Sequence, residues 1–161
     1  MTANTTFVSG AILTAAQMNA LPWGVVDTTA GGTTSRGFVI KTSAFSIPIV
    51  GSIAQITDFT MTFTPVTGRL YKASYTINLS STTAQIVYTQ FRIGATIYGS
   101  RGDNVVTGGL NTVHNDYIFK GLTASTTLQV FAGANTIAAG TSVVGSATEG
   151  DIFAIEDIGP A

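Results

Sequence analysis

From Arg36 onward apolar and polar residues alternate with a period of two over most of the chain, the pattern of half-buried β-strands. In Thr57–Thr64, Phe59, Met61 and Phe63 alternate with Asp58, Thr60, Thr62 and Thr64. Val66-Thr67-Gly68 makes a turn. Beyond it Tyr71, Ala73, Tyr75, Ile77 and Leu79 face one way, and Lys72, Ser74, Thr76 and Asn78 face the other. The two runs predict a hairpin whose apolar faces share one core. Ala84–Ile93 has apolar residues on both phases, which predicts a strand buried on both faces or shifted by a bulge. Val113, Asn115, Tyr117 and Phe119 alternate again, and Leu128, Val130, Phe153 and Ile155 close the set. Glycines punctuate these runs at short intervals. Short alternating strands at this spacing predict an all-β sandwich or jelly roll.

Residues 1–35 do not share that period. Thr14-Ala15-Ala16-Gln17 has the capping-box spacing, with Leu13 and Met18 placed for a hydrophobic staple. Pro22 stops the run, so a helix of about two turns is predicted between Thr14 and Leu21. A helix that short is marginal alone in water. It must dock on something, and Leu13, Met18, Leu21 and Trp23 are the residues it would dock with. Asp27–Ser35 contains no large apolar residue and reads as a linker or loop. The expected division is an arm over 1–35 and a β-domain over 36–161.

Composition narrows the classes. Of 161 residues only 9% are charged while 45% are hydrophobic, and the formal net charge is −1. Disorder needs the opposite balance. Seven Lys and Arg residues are scattered singly, which leaves nucleic acid little to bind. No apolar stretch is long enough for a membrane-spanning helix. The start of the chain lacks a basic region, and its apolar run is broken by Ser9, Gly10 and Gln17, unlike a secretory signal. Cysteine is absent, so neither disulfides nor a thiolate zinc site enter. A surface so poor in charge either aggregates or is hidden in a defined oligomer. The oligomer is the expectation.

Candidate chemistry is sparse. His114 is the one histidine, with Asp116 on the same strand face. No nucleophile elbow accompanies them, and two polar neighbours are ordinary on a solvated strand. One imidazole and no thiolate make a transition-metal site improbable. Glu149 and Asp151 could act as an acid–base pair or hold calcium, but their place suggests a loop before the last strand. Arg101-Gly102-Asp103 spells an integrin-binding tripeptide in a stretch expected to be an exposed turn. Asn4-Thr5-Thr6 and Asn78-Leu79-Ser80 are glycosylation sequons only in a secreted chain. Expected, then, are no catalytic residues, no cofactor and no metal. Tyr71, Tyr75, Tyr117, Phe153 and Ile155 are assigned to the core or to a subunit interface, between which pattern does not choose.

Three segments together resemble virion proteins of tailed bacteriophages, especially those of actinobacteria. Phe7–Asn19 (FVSGAILTAAQMN) resembles the amino-terminal helix that precedes a β-rich head. Phe63–Lys72 (FTPVTGRLYK) resembles a hairpin of fibre and spike heads. Phe153–Ala161 (FAIEDIGPA) is similar to the terminus of minor structural proteins, departing mildly at Ala154-Ile155. These anchors span most of the chain.

The resemblance implies a jelly-roll head of the tumour-necrosis-factor-like and C1q-like kind, which forms homotrimers. It also implies a virion location, with the head outward and the arm fixed to capsid or tail proteins. Leu13, Thr14, Gln17, Met18, Leu21 and Trp23 are the attachment residues it implies. Partners are then copies of the chain, the particle, and a glycan or protein of the host surface, with no nucleic acid and no membrane. Two rivals are a secreted C1q-like or lectin-like adhesion module, whose signal and cysteines are missing, and a glycan-degrading enzyme. The enzyme would need paired carboxylates about 5–9 Å apart in a cleft, and the chain has eight acids in all.

Overall fold

A computed structural model of the chain describes residues 24–25, 27–30, 33–41, 45–47, 53–134, 143–145 and 151–161. Every regular element among them is a strand: β1 (Gly24–Val25), β2 (Asp27–Ala30), β3 (Thr33–Arg36), β4 (Phe38–Lys41), β5 (Ser46–Ile47), β6 (Ala54–Phe63), β7 (Arg69–Ser81), β8 (Gln85–Ile93), β9 (Thr96–Val105), β10 (Leu110–Phe119), β11 (Thr126–Ala134), β12 (Val143–Gly145) and β13 (Asp151–Pro160). The helix predicted over Thr14–Leu21, and the attachment residues Leu13 to Trp23, lie outside the described residues.

Four antiparallel pairings are nested inside one another. β4 pairs with β13, β6 with β11, β7 with β10 and β8 with β9. Rolled up, this ladder makes two layers, β4-β13-β7-β10 and β6-β11-β8-β9. That is the wiring of a jelly roll. The short strands extend it: β1 continues the β4 edge along β13, β12 and β5 lengthen the first sheet, and β2 and β3 flank β6.

Two expectations need correction. Asp27–Ser35 is not a loop: β2 and β3 pair as a hairpin from Asp27↔Arg36 to Ala30↔Thr33. Thr is a good strand residue and makes up half of these two strands, and the absence of large apolar residues hid them. Nor do β6 and β7 form a hairpin. They belong to opposite sheets, and residues 64–68 arch across the sandwich. Each strand has one apolar face, and facing layers bury both at once. The arch is held where the Val66 backbone N–H donates to the Tyr71 hydroxyl at 2.7 Å.

The core lies between the layers and is aromatic at its centre. Phe59 meets Phe153 at 5.7 Å between ring centroids, Phe63 meets Tyr71 at 5.1 Å, and Tyr75 meets Phe91 at 5.0 Å. Each pair joins one sheet to the other. Tyr71, Tyr75, Phe153 and Ile155 are therefore core residues. Tyr117 is half-buried at the rim, where its ring packs on Tyr98 and Phe119.

Alternation breaks at two places. In β6, Ile56 and Phe59 both point inward because Asp58 takes a φ of +76°, and the register with β11 shifts there. In the β8–β9 pair the register slips between Thr89 and Phe91. Around this slip Thr89, Gln90 and Phe91 are all buried, so the strand shows both of the features expected from its mixed pattern.

Candidate functional site

The polar residues singled out in the sequence do not converge. His114 stands on the outer face of the first sheet, its Nδ1 bonded to the Thr76 hydroxyl at 3.1 Å. Asp116 beside it faces Lys72 at 3.4 Å, both half exposed, a pair worth little in water. Arg101-Gly102-Asp103 is not a turn but part of β9. Its Arg101 Nε donates to both Asp103 oxygens, at 2.9 and 3.0 Å, so each charge is spent on the other. The Asn78 side chain is engaged as well: its amide donates to Asp151 and its carbonyl accepts from the Thr112 hydroxyl. Among the described residues no three His, Asp or Glu side chains gather to hold a metal.

Asp151 was expected in a loop but opens β13 and is fully buried. Glu149 lies outside the described residues. One Asp151 oxygen accepts from the Asn78 backbone N–H at 2.7 Å, and the other has no hydrogen-bond partner. Burial pushes the carboxyl upward from its ordinary value, outweighing Asn78 and the nearby Lys41 charge. The folded chain thus holds this proton more tightly than the unfolded chain does. The contribution to stability is full below the unfolded pKa and is lost as pH rises through the folded one. Asp151→Asn is expected to unfold at an equal or higher urea concentration than the parent at pH 7, with the gain shrinking toward pH 4. A variant less stable at pH 7 than at pH 4, relative to the parent, would contradict this sign.

Tyr75 is the other shifted group. Burial pushes its hydroxyl up to about 12; Thr89 and Asn115 pull weakly the other way, but neither meets the hydroxyl at hydrogen-bond geometry.

What the strands do assemble is a pair of broad faces. On the outer face of the first sheet Ile40 stands opposite Ile152, and Phe38 opposite Ala154. Phe38, Ile40 and Ile152 are 49%, 53% and 43% exposed, far more than large apolar residues need to be. The row continues through Thr76 to His114, and the next through Ser74 to Asp116. The surface is apolar at the β4–β13 edge, hydroxyl-rich along β7, and mixed on β10, where Leu110 and Ile118 are exposed beside His114 and Asp116. Sequence reasoning missed it, although a signal existed: Phe38-Val39-Ile40 and Ile152-Phe153-Ala154-Ile155 are apolar on both phases.

At one end of that sheet two segments of the resemblance meet. Arg69 makes a fork with Asp157, Nε to Oδ2 at 2.5 Å and Nη2 to Oδ1 at 2.6 Å. The Ala161 N–H donates to the Gly68 carbonyl at 2.9 Å, and Gly68 turns the chain there with a φ of +81° that favours glycine. Asp157 also pairs with Gly24 of β1. The 63–72 and 153–161 motifs are thus two halves of one junction, and β1 lies beside it.

No protein family and no curated protein matches the sequence. Solved structures similar to the chain include one described as "CBM4 structure and function", with a TM-score of 0.40 and 13% identity over 81% of this chain and 94% of that one. A chain of infectious bursal disease virus, Gx strain, gives 0.45 and 10% over 80% and 40%. The enzymatically active domain of bacteriophage CBA120 tailspike protein 4 gives 0.35 and 14% over 86% and 20%. At such scores no function is carried over. No helix among the described residues is long and apolar enough to cross a membrane.

Proposed function

We propose that this chain is a structural protein of a phage particle, a surface appendage that works by binding and not by catalysis. Three copies join through the outer face of the first sheet into a tumour-necrosis-factor-like or C1q-like trimer. The amino-terminal segment fixes it to capsid or tail proteins, and the head displays its second sheet outward. The observation that carries this reading is the exposed Phe38–Ile40–Ile152 patch on a chain with so little charge. An apolar, contiguous patch rimmed by polar residues is the make-up of an interface core. β13, β7 and β10 run ten residues or more and β4 adds four at the edge, a face up to about 19 Å wide and about 34 Å long, of the order of the ~800 Å² a partner contributes to a standard interface. Charge on it is sparse: the described charges there are Glu156 and the half-exposed Lys72–Asp116 pair.

Native mass spectrometry of the whole chain at micromolar concentration is expected to show three subunits. The double variant Ile40→Asp, Ile152→Asp is expected to run as a monomer with an almost unchanged urea midpoint, since both residues are exposed in the single chain. A monomeric parent, or a double variant that stays trimeric, removes this reading.

A further inference from the structure

On the outer face of the second sheet Arg92 is held in a fixed pose. Its guanidinium carbon lies 4.2 Å from the centroid of the Phe131 ring, a cation–π contact across β8 and β11. With its amide turned to satisfy both ends, the buried Gln90 accepts through its carbonyl oxygen from Arg92 Nε at 2.9 Å and Nη2 at 2.5 Å. A ring below and an amide beside pin the fork. Yet none of the ion pairs among the described residues includes Arg92; the other cations in those pairs are Lys41, Arg69, Lys72 and Arg101. A guanidinium that is stacked, oriented and left without a carboxylate is arranged to receive one.

Its surroundings narrow what brings that carboxylate. Gln129 stands opposite Arg92, and Gly133 and Gly102 stand either side of Tyr88. A Cβ at Gly102 would come within 3.0 Å of the Tyr88 ring, so the ring lies across β9 where no other side chain fits. Tyr88 is 37% exposed. The face thus presents an aromatic plane, an oriented cation with Gln129 on one side and the exposed Ile97 on the other, and the hydroxyls of Thr60, Thr62 and Thr127 toward β6. A nucleic acid would need many cations, and an extended peptide would seek an open sheet edge. Tyr88 and Arg92 are four residues apart on one strand, about 13 Å, a span of two to three sugar rings.

We propose that this face binds a carboxylated saccharide chain. Its carboxylate takes the free donors of Arg92, the C–H face of a neighbouring ring lies on Tyr88, and Gln129 bonds ring hydroxyls. The site goes beyond the self-association of the first sheet and stands without it, although three copies would multiply weak contacts.

The test titrates the full chain with hexamers of galacturonate and of hyaluronan, with their carboxyl methyl esters, and with uncharged cellohexaose, by calorimetry. At least one acidic hexamer is expected to bind, at least tenfold more tightly than its ester and than cellohexaose. Arg92→Gln is expected to lose tenfold or more for the acidic form and nothing for the ester. Tyr88→Ala, an exposed change that keeps the fold, is expected to weaken both forms several-fold. Silence from both acidic hexamers at millimolar concentration overturns the proposal, as does equal binding of acid and ester, or an Arg92→Gln variant that binds as the parent does. Native mass spectrometry of the same samples keeps the two claims apart: a monomer that binds the acid sinks only the trimer, and a trimer that binds nothing sinks only this site.

Discussion

Phe91→Ala is expected to be the most damaging single substitution in the chain, costing about 3–5 kcal/mol. Phe91 is fully buried in the second sheet, and its ring meets three aromatics of the first: Tyr75 at 5.0 Å, Phe119 at 6.2 Å and Phe153 at 6.3 Å. Truncation removes the transfer energy of the ring and leaves a cavity between two sheets that cannot close on it, because ladder hydrogen bonds on either side fix their spacing. Domains of this kind hold only about 5–15 kcal/mol in reserve. The urea midpoint should therefore fall steeply with the slope unchanged. A loss under about 1 kcal/mol would mean that the layers slide together over the gap, and that the aromatic centre is not what joins them.

Arg69→Ala should be the largest effect outside the core, about 2–3 kcal/mol from breaking charge-assisted hydrogen bonds. The pair is well shielded, with Arg69 and Asp157 side chains 12% and 17% exposed, so solvent screens it far less than an open pair. Removing the guanidinium leaves Asp157 with the Gly159 N–H at 3.1 Å. Arg69→Lys should recover only part of the loss, since an ammonium keeps the charge but not the two-pronged geometry. Hydrogen exchange provides the local readout. The Ala161 and Gly159 amides should lose protection well before those of Ile77 or Val130. Uniform loss across both sheets would show that the junction is not a local clasp.

Strand existence was legible because a side-chain period of two with one buried face writes itself directly into residue order. Phe59, Met61 and Phe63, or Tyr71 to Leu79, need no partner to be recognised. Partner choice was not legible in the same way. Whether β6 and β7 lie side by side or face to face depends on β11 and β13, far along the chain, and local alternation is identical in both cases. Arg101-Gly102-Asp103 misled for a related reason: glycine beside small polar residues reads as a turn, whereas Gly102 sits in a strand to make room for the ring of Tyr88. The buried Asp151 was disguised by its acidic neighbour Glu149. The outward apolar patch was half written, as strands apolar on both phases. The meeting of Arg92 and Phe131, from separate strands on one sheet face, left no trace in order or spacing.

The nested pairing also governs how such a chain is made. β8 and β9 adjoin in sequence and can zip as soon as both exist, but β4 must wait for β13, its ladder partner from Asp151↔Lys41 to Ala154↔Phe38. Until residues 151–160 have left the ribosome, one edge of β7 and the edge of β4 stay open to strangers. Loop closure over that separation is slow, and open strand edges invite wrong partners meanwhile. Yield in a host cell should therefore respond to temperature and to chaperone supply more than the finished sandwich's resistance to urea would suggest.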